Sequence, residues 1–135
     1  MFSVEKYHSS FVYENEDIFN QLFNLTFSGI TMMKISLNKR DLGDILIVRD
    51  PEKQENIIAW AFLIEHPRNK KYIWLMFYVS EFFRNQGIGT MLLEYAKELG
   101  ASQDKTISYD YRDSAAAKKL LYNQKGKIVD YWMVP

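Results

Sequence analysis

The stretch that most constrains the fold runs from Tyr72 to Gly100, because it joins a strand pattern to a helix pattern through glycines. Residues 72–79 are an unbroken apolar and aromatic run of strand length, which is typical of a central strand covered on both faces. Residues 89–99 carry apolar side chains at the spacing of an amphipathic helix, and Gly100 is placed to end that helix in a left-handed cap. The sequence therefore predicts a strand, a tight loop and a helix in direct succession.

The loop between these two elements has the composition of an anion-binding turn. Its residues are Arg84, Asn85, Gln86, Gly87, Ile88, Gly89 and Thr90. Glycines let the backbone turn sharply, and the free N–H groups of a helix start, together with an arginine cation, suit a pyrophosphate. The alternative is that Gly87 and Gly89 only form a tight turn. The loop lacks the third glycine of a dinucleotide fingerprint and the Gly-Lys-Ser/Thr of a P-loop.

This loop resembles the acyl-CoA-binding motif of the GNAT superfamily of N-acyltransferases, written Q/R-x-x-G-x-G/A. Arg84, Gly87 and Gly89 fill its specified places, and the preceding strand and following helix match its context. The resemblance implies an enzyme that transfers an acetyl group from acetyl-CoA, its co-substrate, to an amine on a small molecule, protein or peptide. It also implies direct transfer, without a covalent acyl-enzyme.

Composition excludes several other classes of protein. Basic and acidic residues balance at 17 each, so no global field favours nucleic acid or an anionic membrane, and the lysine pairs are expected to be solvated faces. The chain has no cysteine and two isolated histidines, so neither thiolate chemistry nor a metal site is expected. Polar residues near the N-terminus and the lack of a long apolar run predict a cytoplasmic protein without membrane spans.

The remaining patterns predict a single domain over residues 1–135. Asn15 is a candidate N-cap for a helix, and 30–37 is either a second short helix or an extended segment. The predicted helices are 16–27, 89–99 and 115–125, and the predicted strands are 2–7, 45–48, 57–64, 72–79, 106–111 and 127–134.

This order of elements predicts an α/β (α+β) fold. Three consecutive strands joined by short polar connections indicate an antiparallel meander, and the next strand–helix–strand unit indicates a parallel crossover. The expected architecture is a central mixed sheet, a meander followed by a splayed parallel pair, flanked by about four helices, which is similar to the GNAT topology. Family members usually add a strand after the one at 127–134, so the end at Pro135 leaves a sheet edge and motivates a homodimer hypothesis.

The resemblance also implies where the cofactor and the catalytic groups lie. Pantetheine would occupy a gap between Phe77-Tyr78-Val79 and Ser108-Tyr109-Asp110, pairing with backbone groups that a bulge frees. The pyrophosphate would take donors from Arg84 to Thr90. Tyr122, four residues before Gly126, matches the family's late-helix tyrosine, and the ordinary phenol pKa of about 10 keeps it protonated as a general acid. Asp110 is one candidate base, Glu65 and His66 are others, and a water chain is the remaining option.

The sequence departs from the family at three places. The strand 72–79 has no carboxylate where many relatives carry a glutamate, and Lys127 stands where an aromatic residue is common. Ala115 replaces an asparagine that bonds the cofactor, a role for which Ser114 is the nearest substitute. These departures favour the alternative hypothesis of a GNAT-like module that binds CoA or a partner with weak or absent catalysis.

Overall fold

The computed structural model of the protein describes residues 1–25, 43–110, 118–119 and 128–135. The elements, in chain order, are β1 (Val4–His8), α1 (Ser9–Glu14), α2 (Glu16–Leu25), β2 (Gly43–Asp50), β3 (Lys53–His66), β4 (Asn69–Val79), a 3₁₀ turn (Glu81–Phe83), α3 (Ile88–Ser102), β5 (Thr106–Tyr109), β6 (Ile128–Asp130) and a second 3₁₀ turn (Tyr131–Met133).

The strands form one mixed sheet in the order β1-β2-β3-β4-β5-β6. β1 to β4 are antiparallel neighbours, whereas β4–β5 and β5–β6 are parallel, so the predicted meander and parallel crossover are confirmed. The two hairpins of the meander are longer than predicted, because β3 starts at Lys53 and β4 at Asn69. The polar residues at both hairpin ends still pair with the neighbouring strand, as Asp50 does with Lys53 and His66 with Asn69. Only two-residue turns therefore separate the strands.

Strand alternation gives the sheet two apolar faces, each covered by helices. α3 lies on one face, where Ile88, Leu92 and Leu93 pack on Ala61 and Leu75. On the opposite face α1 and α2 cover β2 and β3. There the buried cluster consists of Val12, Ile18, Leu22, Ile45, Ile47, Ile57, Trp60 and Phe62. The continuous apolar run of β3 is explained by burial on both faces.

The N-terminal helices begin at side-chain caps. The Oδ1 atom of Asn15 accepts a hydrogen bond from the Ile18 N–H at 3.1 Å, as the predicted N-cap requires. α1 is not predicted, and its cap is unusual: Nδ1 of His8 accepts from the Ser10 N–H at 3.2 Å. The last residues of the predicted helix 16–27 and all of 30–37 lie outside the described residues.

The prediction that Gly100 caps its helix is wrong. α3 continues to Ser102, and a Cβ on Gly100 would lie only 3.0 Å from the Lys105 carbonyl oxygen. Glycine is needed there because the chain returning to β5 passes close to the helix. The left-handed residue of this turn is Asp104, with φ 55°.

The prediction of a final strand over 127–134 is also wrong beyond Asp130. The Oδ1 atom of Asp130 accepts from the Trp132 N–H at 3.0 Å and starts the second 3₁₀ turn. Of the predicted helix 115–125, the structure describes only Lys118 and Lys119, which are helical. In the ranges described, no helix has both the length and the apolar character needed to cross a membrane.

Candidate functional site

The parallel strands β4 and β5 separate before β4 ends. Their pairing runs from Tyr72 opposite Thr106 to Leu75 opposite Tyr109, and β4 then continues to Val79. Over 76–79, β4 has no strand partner on its β5 side within the described residues. β3 holds this free stretch extended, with Ala59 opposite Val79. The two strands therefore part at their carboxyl ends in the described residues. The predicted far side of the gap is wrong for Ser108 and Tyr109, which still pair with Trp74 and Leu75, so the gap lies beyond Tyr109.

The main-chain groups of Phe77 and Val79 face this gap. The Ser80 N–H donates to the Ile58 carbonyl of β3 at 2.7 Å, so alternation turns the groups of Val79 and Phe77 to the other edge. The Ser108 hydroxyl of β5 donates to the Ile73 carbonyl at 2.9 Å, which places the odd-numbered residues of β4 on the β5 side. The predicted bulge is absent, because pairing with β3 has no register shift between Val79 and Ile73. Instead, the end of the β5 ladder leaves these groups without a strand partner among the described residues.

The loop after β4 leads directly into the N-terminus of α3. Gly87 is its N-cap residue at φ 83°, with no side-chain cap, and Asn85 is also left-handed at φ 63°. The first bond of the helix runs from the Met91 N–H to the Gly87 carbonyl at 3.0 Å. The main-chain N–H groups of Ile88, Gly89 and Thr90 therefore lack a carbonyl inside the helix. Ile88 anchors the turn, since its side chain is buried in the core.

Arg84 is bound to the end of β4. Its Nε donates to the Val79 carbonyl oxygen at 3.0 Å, and its guanidinium carbon lies 5.5 Å from the centre of the Tyr78 ring. Tyr78 in turn stacks on Trp60 of β3, with ring centres 6.3 Å apart. Of the predicted cofactor residues, Tyr78 thus faces the gap least: its main-chain groups turn toward β3, and its ring holds Arg84.

The sheet carries different side chains on its two faces beside the gap. On the α3 face, the Phe77 and Tyr109 rings meet at 5.4 Å above the helix core. On the other face, Trp74, Met76 and Tyr78 are only half-buried. The indole N–H of the buried Trp60 on that face has no hydrogen-bond partner in the part of the chain that is described.

Comparison with protein families agrees with this geometry. The family model "Acetyltransferase (GNAT) domain" matches residues 42–126, more than half of the chain. The chain belongs to the GNAT acetyltransferases. None of the curated proteins compared with this GNAT chain matches it in sequence.

Solved structures with the same fold include three acetyltransferases at low sequence identity. A GNAT acetyltransferase from Staphylococcus aureus Mu50 is 16% identical, with a TM-score of 0.65 over 93% of this chain and 84% of that one. The aminoglycoside N-acetyltransferase AAC(6')-Iy in complex with CoA is 13% identical, at 0.60 over 93% and 87%. The ribosomal-protein-alanine N-acetyltransferase of Brucella melitensis biovar Abortus 2308 is 13% identical, at 0.61 over 92% and 90%.

The proposed catalytic groups of the GNAT site are only partly within the described chain. Tyr122 and Ser114 lie outside the described residues. Asp110 directly follows β5 beside the gap and is half-buried. Glu65 is paired with Lys105 at 3.7 Å and lies opposite Ile73, three residues before the gap opens at Met76 and so about 10 Å from it along the strand. Glu65 and His66 are therefore not brought to the gap.

His66 instead fastens the C-terminal segment to the sheet. Its Nδ1 accepts from the Arg68 N–H at 3.1 Å, so the neutral ring carries its proton on Nε2, which donates to the Tyr131 carbonyl at 3.0 Å. Arg68 donates to the same carbonyl at 2.9 Å, and the Tyr131 ring lies 4.7 Å from Trp74. No sequence pattern links these residues to one another. In the described ranges, no three His, Asp or Glu side chains could hold a metal ion together.

Burial lowers the pKa of His66 below its ordinary value of 6.5, and the nearby Arg68 charge lowers it further, against the opposing bond to Tyr131. Lowering the pH from about 7.5 to about 5.5 should therefore reduce the free energy of unfolding, because the unfolded state binds the proton first. The His66 contribution is complete above pH 6.5 and is lost as the pH falls through the lower folded-state pKa. One group changes stability by at most about 1.4 kcal/mol per pH unit, measurable by urea unfolding.

A glutamine variant isolates this effect. His66→Gln keeps a donor for Tyr131 and an acceptor for Arg68 without titrating, so its stability should depend less on pH. An equal pH dependence in wild type and His66→Gln would contradict this role for His66.

Proposed function

We propose that this GNAT protein transfers the acetyl group of acetyl-CoA directly to an amine acceptor. The observation that carries the proposal is the gap beside the free end of β4, with main-chain groups of Phe77 and Val79 turned into it. Next to it, the free amides at the start of α3 offer an anion site. CoA has a peptide-like pantetheine arm joined to a pyrophosphate, so its two parts match the open strand edge and the adjacent helix start in turn. The CoA complex of AAC(6')-Iy, which shares the fold, supports the same ligand.

The proposed donor site uses main-chain groups more than side chains. The amides of pantetheine would pair with Phe77 and Val79 as a further strand does, without a specific side chain. The pyrophosphate would accept from the N–H groups of the loop and of the first helical turn. The loop donors are proposed to be Asn85, Gln86, Gly87, Ile88, Gly89 and Thr90. The helix dipole and the Arg84 cation favour the same anion.

Direct transfer requires proton movements at the acceptor nitrogen and at the sulfur. The acceptor ammonium loses a proton, its nitrogen forms a bond to the thioester carbonyl carbon and then loses a second proton, and the C–S bond breaks as the thiolate takes a proton, so one proton is released to solvent overall. Asp110 is the proposed base because it stands beside the gap, and Tyr122 is the proposed acid on the family resemblance alone. Ser114 is proposed to assist in holding the cofactor. The chain has no cysteine to form a thioester intermediate.

The acceptor is proposed to approach from the face opposite α3. On the α3 face the Phe77 ring contacts Tyr109 and packs against the helix core, so the acceptor is assigned to the opposite face, which Met76 and Tyr78 line. The acceptors named for two structural neighbours, an aminoglycoside and the alanine of a ribosomal protein, differ widely.

A second candidate function is CoA binding without turnover. The specific observation in its favour is the absence of a carboxylate from residues 72–79, the strand that borders the gap. Ala115, where relatives have an asparagine, points the same way. Donor binding tests both candidates, and acetyl transfer separates them.

Thr90→Glu should weaken acetyl-CoA binding at least about tenfold, which is about 1.4 kcal/mol, in calorimetric titration. A glutamate at the third position of a helix can reach back to the first amides, so it would compete with the pyrophosphate for donors and repel it. Acid groups at this end stabilise a helix by about 0.3–1 kcal/mol, so the free energy of unfolding should hold or rise. Loss of binding with a stable fold distinguishes this effect from misfolding.

The matched control adds the same charge at the other end of α3. Gln103 is the exposed C-cap residue, so Gln103→Glu should leave acetyl-CoA binding unchanged. If wild type binds acetyl-CoA and Thr90→Glu binds it equally well, the start of α3 is not the pyrophosphate site. If wild type binds neither acetyl-CoA nor CoA, the proposed function is wrong.

Tyr122→Phe should lower kcat about 10²-fold or more with an acceptor that wild type acetylates, because the thiolate would leave without a proton donor. The KM for acetyl-CoA should change little, since the phenol is assigned to the leaving group and not to binding. Rates followed by thiol release across the pH range provide the measurement. An unchanged kcat at every pH would remove Tyr122 from the mechanism.

A further inference from the structure

Arg84 occupies a hydrogen-bonding position that the bound cofactor needs. Its Nε donates to the Val79 carbonyl at 3.0 Å. Val79 is on the gap edge of β4, since Ser80 bonds toward β3. The proposed pantetheine site uses the carbonyls of both Phe77 and Val79 on this edge. In that site the guanidinium and the pantetheine arm compete for the Val79 carbonyl.

Among the described residues, Arg84 is held at this position only by contacts with uncharged groups. Its partners are a neutral carbonyl and the ring face of Tyr78, at 5.5 Å. The side chain is exposed, and none of the ion pairs in the described ranges includes it. A guanidinium binds a phosphate as its opposite charge and often through two parallel hydrogen bonds, neither of which a neutral carbonyl provides. A pyrophosphate at the start of α3 therefore competes well for this cation.

Tyr78 sets the resting position of the guanidinium. The ring stacks on the buried indole of Trp60, at 6.3 Å and an interplanar angle of 21°, so it is fixed by the core. A cation over such a ring is stabilised by about 0.5–1 kcal/mol at an exposed site. Tyr78 thus acts through Arg84 and not on the ligand.

We propose that Arg84 is an exchangeable strap, which covers the Val79 carbonyl in the free protein and moves to the pyrophosphate when CoA binds. The inference rests on the proposed function. Pantetheine then takes the carbonyl that Arg84 has left, so binding of the phosphate end opens the position for the arm. Arg84 and Tyr78 are positioning residues in this account, and each half of CoA should respond to them differently.

Two fragments of CoA, pantetheine and ADP, separate the two roles of the strap. In Arg84→Ala the carbonyl is free, so pantetheine should bind about two- to tenfold more tightly, the equivalent of one neutral hydrogen bond. ADP should bind about tenfold more weakly, because the cation is lost. Tyr78→Leu releases the strap without removing its charge, so pantetheine should bind more tightly while ADP does not weaken. Both dissociation constants are measurable by NMR titration.

Three controls match these variants. Tyr78→Phe keeps the ring under the cation and should give wild-type constants for both fragments. Tyr72→Leu removes a half-buried tyrosine from the same strand and face, and Arg49→Ala removes an arginine whose ion pair is with Glu5 of β1. Neither should change either constant. A thermal unfolding curve for each variant verifies the fold.

The outcomes distinguish a failure of the Arg84 exchange from a failure of the proposed CoA site. Opposite changes for pantetheine and ADP in Arg84→Ala, with tighter pantetheine binding in Tyr78→Leu, support the exchange. If wild type binds CoA but Arg84→Ala binds both fragments more weakly, Arg84 stays on Val79 in the complex and the exchange is wrong. If wild type does not bind CoA, the proposed function and the exchange fall together.

Discussion

The pairing of β3 with β4 is the constraint on which the rest of the site depends. β3 holds β4 extended to Val79, four residues past Leu75, the last residue of β4 that pairs with β5. The bond from Ser80 to Ile58 fixes which residues turn their main-chain groups to β3 and which to the gap. A strand edge without a partner normally invites another chain. Among the described residues, one side of β4 is paired and the other has no strand partner over a short stretch beside a helix N-terminus.

The two parts of the site are joined by few residues. Val79 ends the open edge, and α3 begins at Ile88, with the 3₁₀ turn and the glycine loop between them. Arg84 ties the loop to the strand through the Val79 carbonyl and through Tyr78, which rests on the buried Trp60. The core of the sheet thereby sets the geometry of an exposed loop. Through Tyr78 and Arg84, the Trp60 side chain in the middle of the meander is thus connected to the proposed anion site.

Local patterns were enough to predict the elements that carry the site. The apolar run of β4, the glycines after it and the amphipathic pattern of α3 are short-range features. The gap, in contrast, was implied only by the resemblance to the GNAT superfamily. The N-cap at Asn15 is local as well. The resemblance of Arg84, Gly87 and Gly89 to the GNAT motif was confirmed at the level of the family by the match over 42–126.

The wrong predictions involve residues whose partners are distant in sequence. Gly100 suggested a cap, but its function is to let the approach to β5 pass close to α3. Tyr131 was predicted to lie in a strand. Its carbonyl instead accepts hydrogen bonds from His66, the last residue of β3, and from Arg68 in the turn after it, where the chain has left the sheet. Likewise, no sequence pattern indicates that Arg84 contacts the Val79 carbonyl and the Tyr78 ring at the same time. The assignments of Tyr122 and Ser114 stay predictions.

The central claim is that CoA binds as a strand partner of Phe77 and Val79, and amide hydrogen exchange by NMR tests it most directly. Saturating CoA should slow exchange at the amides that face the gap, Phe77 and Val79. The Tyr78 amide faces β3 and should change little. This alternation is the signature of a ligand that extends the sheet on one side. Binding of CoA without protection of Phe77 or Val79, or with equal protection of Tyr78, would contradict the account.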